Sequence, residues 1–191
     1  PNLSQPDEDG FTPLMKAVYW QYYDLIPLLL NKGSSTDHRN FRGMTVFLMA
    51  VQSDNYNIIK MFLEHQINPN QVDRRGATAL HYAAENGNTR VIELLLKSRA
   101  DPNIADKRGQ TPLIYAAYWG RIDIISQLIE KNAALDAKNH DGQSALMVAT
   151  LYNFSDVCRE LVSNGADMDL KNDFGQTALM IALDYRMYDI A

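Results

Sequence analysis

Residues 73–87 read DRRGATALHYAAENG, and residues 106–120 read DKRGQTPLIYAAYWG. Shifted by 33 positions, the two stretches align Asp73 with Asp106, Gly76 with Gly109, Thr78 with Thr111, Leu80 with Leu113, Ala83 with Ala116 and Gly87 with Gly120. The same shift carries through the chain. Gly10, Gly43, Gly76, Gly109, Gly142 and Gly175 follow one another at 33 residues without a gap. Gly33 pairs with Gly165, and Gly87 with Gly120, so all ten glycines fall into three columns. Scattered loop glycines have no such order. A fixed period of this length marks a stack of small units that share one core.

Each column has a physical reading. The first glycine follows polar residues (Asp9, Arg75, Arg108, Asp141), as a turn with positive φ does. Two residues later stands a hydroxyl, Thr12, Thr45, Thr78, Thr111, Ser144 or Thr177. It suits a helix N-cap, and Pro13 and Pro112 suit the first helical position. A short helix to about Tyr19 follows in the first unit. An apolar column (Leu14, Phe47, Leu80, Leu113, Leu146, Leu179) and an alanine column (Ala17, Ala50, Ala83, Ala116, Ala149, Ala182) predict its buried, closely packed side. The Gly87 and Gly120 column ends that helix, with Asp54 and Asn153 as substitutes. A second helix is predicted from apolar spacing such as Val91, Leu94 and Leu95, with a column running Leu25, Ile58, Val91, Ile124, Val157, Ile190. The Gly33 and Gly165 column ends it, and about ten extended residues lead to the next turn.

This pattern resembles the ankyrin repeat, whose units open with D-x-x-G-x-T-P-L-H-x-A-A-x-x-G. The third unit matches through Asp73, Gly76, Thr78, Leu80, His81, Ala83, Ala84 and Gly87, the fourth through Asp106, Gly109, Thr111, Pro112, Leu113, Ala116, Ala117 and Gly120. The resemblance implies an all-α solenoid of stacked helix–turn–helix units with β-hairpin-like tips. We expect one domain over 1–191, with repeats near 7–39, 40–72, 73–105, 106–138 and 139–171 and a partial sixth over 172–191. Pro27, early in the second helix of repeat one, is expected to kink or delay it. The unfinished sixth repeat is expected to expose Leu179 and Ile181, and together with the missing initiator Met it suggests a piece of a longer protein.

The resemblance also implies function. Ankyrin arrays bind partners on a concave surface made by the tips and first helices. The columns facing it select Tyr19, Trp20, Phe41, Arg42, Met44, Arg74, Arg75, Lys107, Arg108, Tyr118, Trp119, Leu151, Tyr152, Phe174 and Tyr185 as partner-contacting residues. Both tryptophans of the chain lie there, each after a tyrosine. Tyr, Trp and Arg are the side chains most enriched at binding hot spots. Arg42, Arg74, Arg75, Lys107 and Arg108 form a basic band in a chain of net charge −5, which matches a partner with acidic and apolar residues. The expected function is a protein- or peptide-binding module. The alternative is a regulatory or scaffolding segment of a channel, kinase, ubiquitin-ligase adaptor or bacterial effector, docked within its own chain.

Other classes find little support. His81 sits in the motif column, where the family uses it to bond a neighbouring turn. His38, His65 and His140 pair with no cysteine at metal spacing. Cys158, the one cysteine, reads as a buried thiol. No carboxylate pair, phosphate loop or catalytic set appears, so no enzyme, cofactor, metal or small-molecule substrate is expected. The acidic balance argues against nucleic acid, and no apolar run approaches the roughly 18 residues of a membrane span. The expected location is cytoplasmic or nuclear. The Asn153-Phe154-Ser155 acceptor triplet falls at a turn into a helix and is discounted. Asn70 and Asn103 occupy the column that an asparaginyl hydroxylase modifies in some family members.

Overall fold

The computed structural model describes residues 3–185. Among them are eleven helices and no strand. They are α1 Pro13–Tyr19, α2 Leu25–Asn31, α3 Val46–Gln52, α4 Tyr56–Glu64, α5 Ala79–Asn86, α6 Thr89–Lys97, α7 Pro112–Tyr118, α8 Ile122–Glu130, α9 Ala145–Leu151, α10 Ser155–Ser163 and α11 Ala178–Asp184. Odd-numbered helices are the first helix of each unit and even-numbered ones the second.

The predicted capping column holds. The hydroxyls of Thr12, Thr45, Thr111, Ser144 and Thr177 each accept from the N–H three residues on. A cap of this kind contributes about 1 kcal/mol, which matters for helices of two turns that would not form alone. Pro27 delays rather than kinks. α2 starts at Leu25, two positions later in the register than α4, α6, α8 and α10, and Pro27 lies in its first turn where an N–H has no helical partner.

The tips are hairpin-like turns held by one side chain each. The Oδ1 of Asp73 accepts from Arg75 and Ala77, at 2.8 and 2.9 Å. Asp7, Asn40, Asp106, Asn139 and Asn172 make the same pair of bonds at their own tips. Successive tips are also tied by backbone. The N–H groups of Arg74, Lys107, His140 and Asp173 donate to the carbonyls of Arg42, Arg75, Arg108 and Asp141.

First helices stack on first helices, α1 on α3, α3 on α5, and so on to α11. The alanine column lies in this seam, and none of its six residues is more than 1% exposed. One buried apolar cluster runs from Leu14 to Ile181. At the far end one expectation is corrected. Leu179 is exposed, but Ile181 is buried, because α11 packs on α9 through Ala178, Ile181 and Ala182. The exposed side of α11 carries Leu179, Met180 and Leu183 instead. Ile190 and the expected second helix of the sixth repeat lie outside the described residues.

Candidate partner-binding surface

The end of each first helix and the tip beside it decide what this face presents. Trp20 and Trp119 are the C-cap residues of α1 and α7, and their N–H groups close onto Lys16 and Tyr115. The next residue, Gln21 or Gly120, takes a left-handed turn that carries the chain away. The indoles are left at the helix end, 62% and 43% exposed. Each packs edge-on against the preceding tyrosine. Tyr19 and Trp20 have centroids 5.1 Å apart, Tyr118 and Trp119 5.2 Å. The first pair continues to Phe11 at 5.8 Å, the second to Tyr152 at 4.6 Å. Two aromatic ledges result, one at repeat one and one across repeats four and five.

A groove of about 1010 Å³ joins the first ledge to the tips of repeats two and three. It brings together Tyr19, Trp20, Phe41, Arg42, Arg74 and Arg75, with Asp7, Asp9 and Lys16 at its acidic end. Lys107, Arg108, Tyr118, Trp119 and Tyr152 lie further along the stack, all exposed. Phe174 and Tyr185 are exposed in the last repeat and do not line this groove.

The basic band is not uniform. Arg42, Arg74, Lys107 and Arg108 are exposed and form no ion pair among the described residues. Arg75 differs. Its Nε lies 3.2 Å from Asp73 Oδ2, and its Nη2 donates to the Tyr82 hydroxyl at 3.2 Å. Those bonds hold its guanidinium charged above the ordinary arginine range against the opposing cost of burial. Arg75 therefore braces its own tip. One further expectation is corrected here. Met44 is 5% exposed, its sulfur 3.2 Å from the Tyr82 hydroxyl, so it belongs to the wall beneath the groove. Leu151 is half-buried against the core, leaving its neighbour Tyr152 to meet solvent.

Sequence reasoning missed what stands nine residues after each tip acid. Lys16 pairs with Asp7 at 2.6 Å, Tyr82 donates to Asp73 at 2.9 Å, and Tyr115 donates to Asp106 at 3.3 Å. Where the tip residue is Asn40, Asn139 or Asn172, that position holds Met49, Val148 or Ile181. The signal was in the register. A carboxylate's second oxygen needs a donor, and an amide does not. Burial alone would raise the Asp73 carboxyl, but bonds from Ala77, Tyr82 and Arg75 outweigh it and hold it below the ordinary carboxylate range. Burial also pushes the Tyr115 hydroxyl up to about 12.

The remaining polar groups have structural partners. His81 Nδ1 accepts from the Thr78 N–H at 3.0 Å, so the ring proton sits on Nε2, which donates to the Gln110 carbonyl of the next tip at 2.9 Å. Burial pushes its pKa down and keeps it neutral. Cys158 is buried, and burial raises its thiol. Asn70 and Asn103 bridge to the following repeat, accepting from Asp101 and Ala134 and donating to the carbonyls of Arg99 and Asn132. Among the described residues no group of three His, Cys, Asp or Glu is placed to hold a metal, and no helix is long and apolar enough to cross a membrane.

Comparison with known families agrees with this architecture. A model of tandem ankyrin repeats matches residues 47–139, 97–172 and 133–191, and a single ankyrin-repeat model matches 9–41. No curated protein matches the sequence at a significant level. The chain belongs to the ankyrin-repeat family, a fold of protein–protein interaction modules without catalysis of its own.

Proposed function

We propose that the chain binds a protein or peptide on the concave face made by its tips and first helices, and that the partner carries acidic and apolar residues. The observation that carries this reading is the coexistence of exposed aromatic ledges with unpaired cations on one face. The ledges supply large contact area on stiff side chains. Among the described residues Arg42, Arg74, Lys107 and Arg108 have no ion-pair partner to give up, so pairing them with carboxylates adds attraction at little cost.

The test is capture of the partner from source cells by the wild-type chain and by a Tyr118→Ala/Trp119→Ala variant whose helix content and melting are unchanged. The variant should retain a tenth or less of the wild-type capture, as loss of a hot spot of roughly 2 kcal/mol predicts. A charge reversal, Arg42→Glu/Arg74→Glu, should lower capture further as salt falls. Equal capture by wild type and both variants excludes this face.

A further inference from the structure

The two ledges are in register with each other. Trp20 and Trp119 are 99 residues apart, three full repeats, and each stacks edge-on with the tyrosine before it. The helix ends between them carry no large apolar group. Repeat two offers Gln52 and Ser53, and repeat three offers Glu85 and Asn86, all exposed. The tip row running alongside has the unpaired cations Arg42, Arg74, Lys107 and Arg108 over the same span, with Glu8 and Asp9 before it and Asp141 after it.

We propose that this face takes one extended polypeptide segment with two apolar anchors about eight residues apart and acidic residues between them, one anchor on each ledge. This rests on the reading of the tip face as the binding surface and adds a ruler to it. The spacing follows from the stack. α1 packs on α3, α3 on α5 and α5 on α7. Packed helices lie about 8–10 Å apart, so three steps span about 24–30 Å. An extended chain rises about 3.3 Å per residue and covers that distance in about seven to nine residues, whereas a helix at about 1.5 Å needs sixteen to twenty. The extended form is favoured by the floor between the ledges. Gln52 and Glu85 are exposed and make no side-chain hydrogen bond among the described residues. Free backbone N–H and C=O groups along an extended segment can use them, whereas a helix offers such groups only at its two ends. Single-stranded nucleic acid also combines anions with stackable groups. The carboxylates of Glu8, Asp9 and Asp141 at both ends of the cation row work against a uniformly charged strand.

Each ledge holds one of the two tryptophans of the chain, which makes the test direct. Synthetic peptides would carry two Phe anchors separated by 4, 8, 12 or 16 residues of mixed Asp, Glu and Ser, with a one-anchor control and a ten-nucleotide oligouridine. Binding would be read from indole emission in Trp20→Phe and Trp119→Phe, each of which keeps one reporter and an aromatic ledge. Expected is tightest binding at a separation of eight, at least tenfold tighter than the one-anchor peptide, with both reporters shifting at the same concentration. Affinity that is flat in spacing, a maximum at sixteen, a response from one reporter alone, tighter binding of the oligouridine, or no peptide binding overturns the ruler. If a peptide binds without spacing dependence but loses affinity in Arg42→Glu/Arg74→Glu, the ruler falls while the binding face survives.

Discussion

Left-handed backbone recurs at the tips and at the ends of both helices, and the tips and the second-helix ends treat sequence differently. At the tip of repeat two, Gly43 has φ +74°, and a Cβ there would lie 2.7 Å from the backbone nitrogen of Arg74 on the next tip. At the end of α2, Gly33 has φ +78°, yet a Cβ would meet nothing within 4 Å. The tip column is glycine in all six repeats. The position of Gly33 is filled in the next repeats by Gln66, Arg99 and Asn132, all left-handed, with φ between 58° and 66°. Strain alone is tolerated three times. Strain plus contact with the neighbour's backbone, at Gly10, Gly43, Gly76, Gly109 and Gly142, is not tolerated once, and only Gly175 on the last tip has no such contact. The tips therefore pass order from repeat to repeat through close backbone packing, whereas the second-helix ends meet the neighbouring repeat through side-chain bonds such as those from Asn70 and Asn103 to the carbonyls of Arg99 and Asn132.

The sharpest way to break that contrast is to give both turns the same methyl. Gly43→Ala should cost about 3 kcal/mol, since positive φ strain adds to a contact that only backbone movement relieves. Gly33→Ala should cost about 1 kcal/mol, the strain alone. Urea denaturation of the two variants measures both. Equal losses would mean that the tip contact contributes nothing.

Tip order should depend nearly as strongly on the side chain beneath it. Asp73→Ala strips the acceptor from two N–H groups, the Tyr82 hydroxyl and Arg75, and should cost about 3 kcal/mol or slightly less. Tyr82→Phe should cost about 1 kcal/mol in the wild type and far less in an Asp73→Asn background, because only the carboxylate needs that donor. The folded Asp73 pKa is lowered from 3.8, so its stabilisation is whole at neutral pH. It is lost as pH falls below 3.8 and through the folded value. The gap between wild type and Asp73→Asn in urea midpoint should close over that range.

His81 ties the third tip to the fourth, and its signature lies at higher pH. Burial lowers its folded pKa from 6.5, so the unfolded chain takes up the proton first as pH falls. Stability from the neutral ring is whole above 6.5 and declines below it until the folded pKa is reached. The slope should reach at most about 1.4 kcal/mol per pH unit. His81→Gln should lose that component of the pH dependence while unfolding in one transition. An unchanged profile would show that the ring titrates as freely folded as unfolded.

How much of this was legible follows from the same contrast. The tip glycines, the capping hydroxyls and the alanine seam each answer to one constraint that only one or two residue types meet, so they repeat and can be read. Tyr19, Trp20, Tyr118 and Trp119 were legible by the opposite logic, as large apolar residues in a column the core does not use. Met44 was misplaced because its neighbours Phe41 and Arg42 face solvent. The hairpin turns its side chain inward, and Tyr82, from the next repeat, covers it. Arg75 was grouped with Arg42 and Arg74 because charge is visible in a sequence and pairing is not. The donors Lys16, Tyr82 and Tyr115 were overlooked because three residue types share one task, which becomes apparent only when Asp7, Asp73 and Asp106 are seen at the other end of the bond.

The smallest effect provides the cleanest control. Arg99 is exposed and left-handed, with φ 66°, and the hydrogen bond from Asn70 falls on its backbone carbonyl, not its side chain. Arg99→Gly therefore keeps every bond while releasing roughly 1–2 kcal/mol of left-handed strain, against an added unfolded-state entropy of about 0.5–1 kcal/mol. A net gain of about 0.5 kcal/mol should appear in the urea midpoint. A loss instead would mean that the arginine side chain contributes more at this helix end than its exposure indicates. The division into ordered tips and permissive helix ends would then need a third kind of turn.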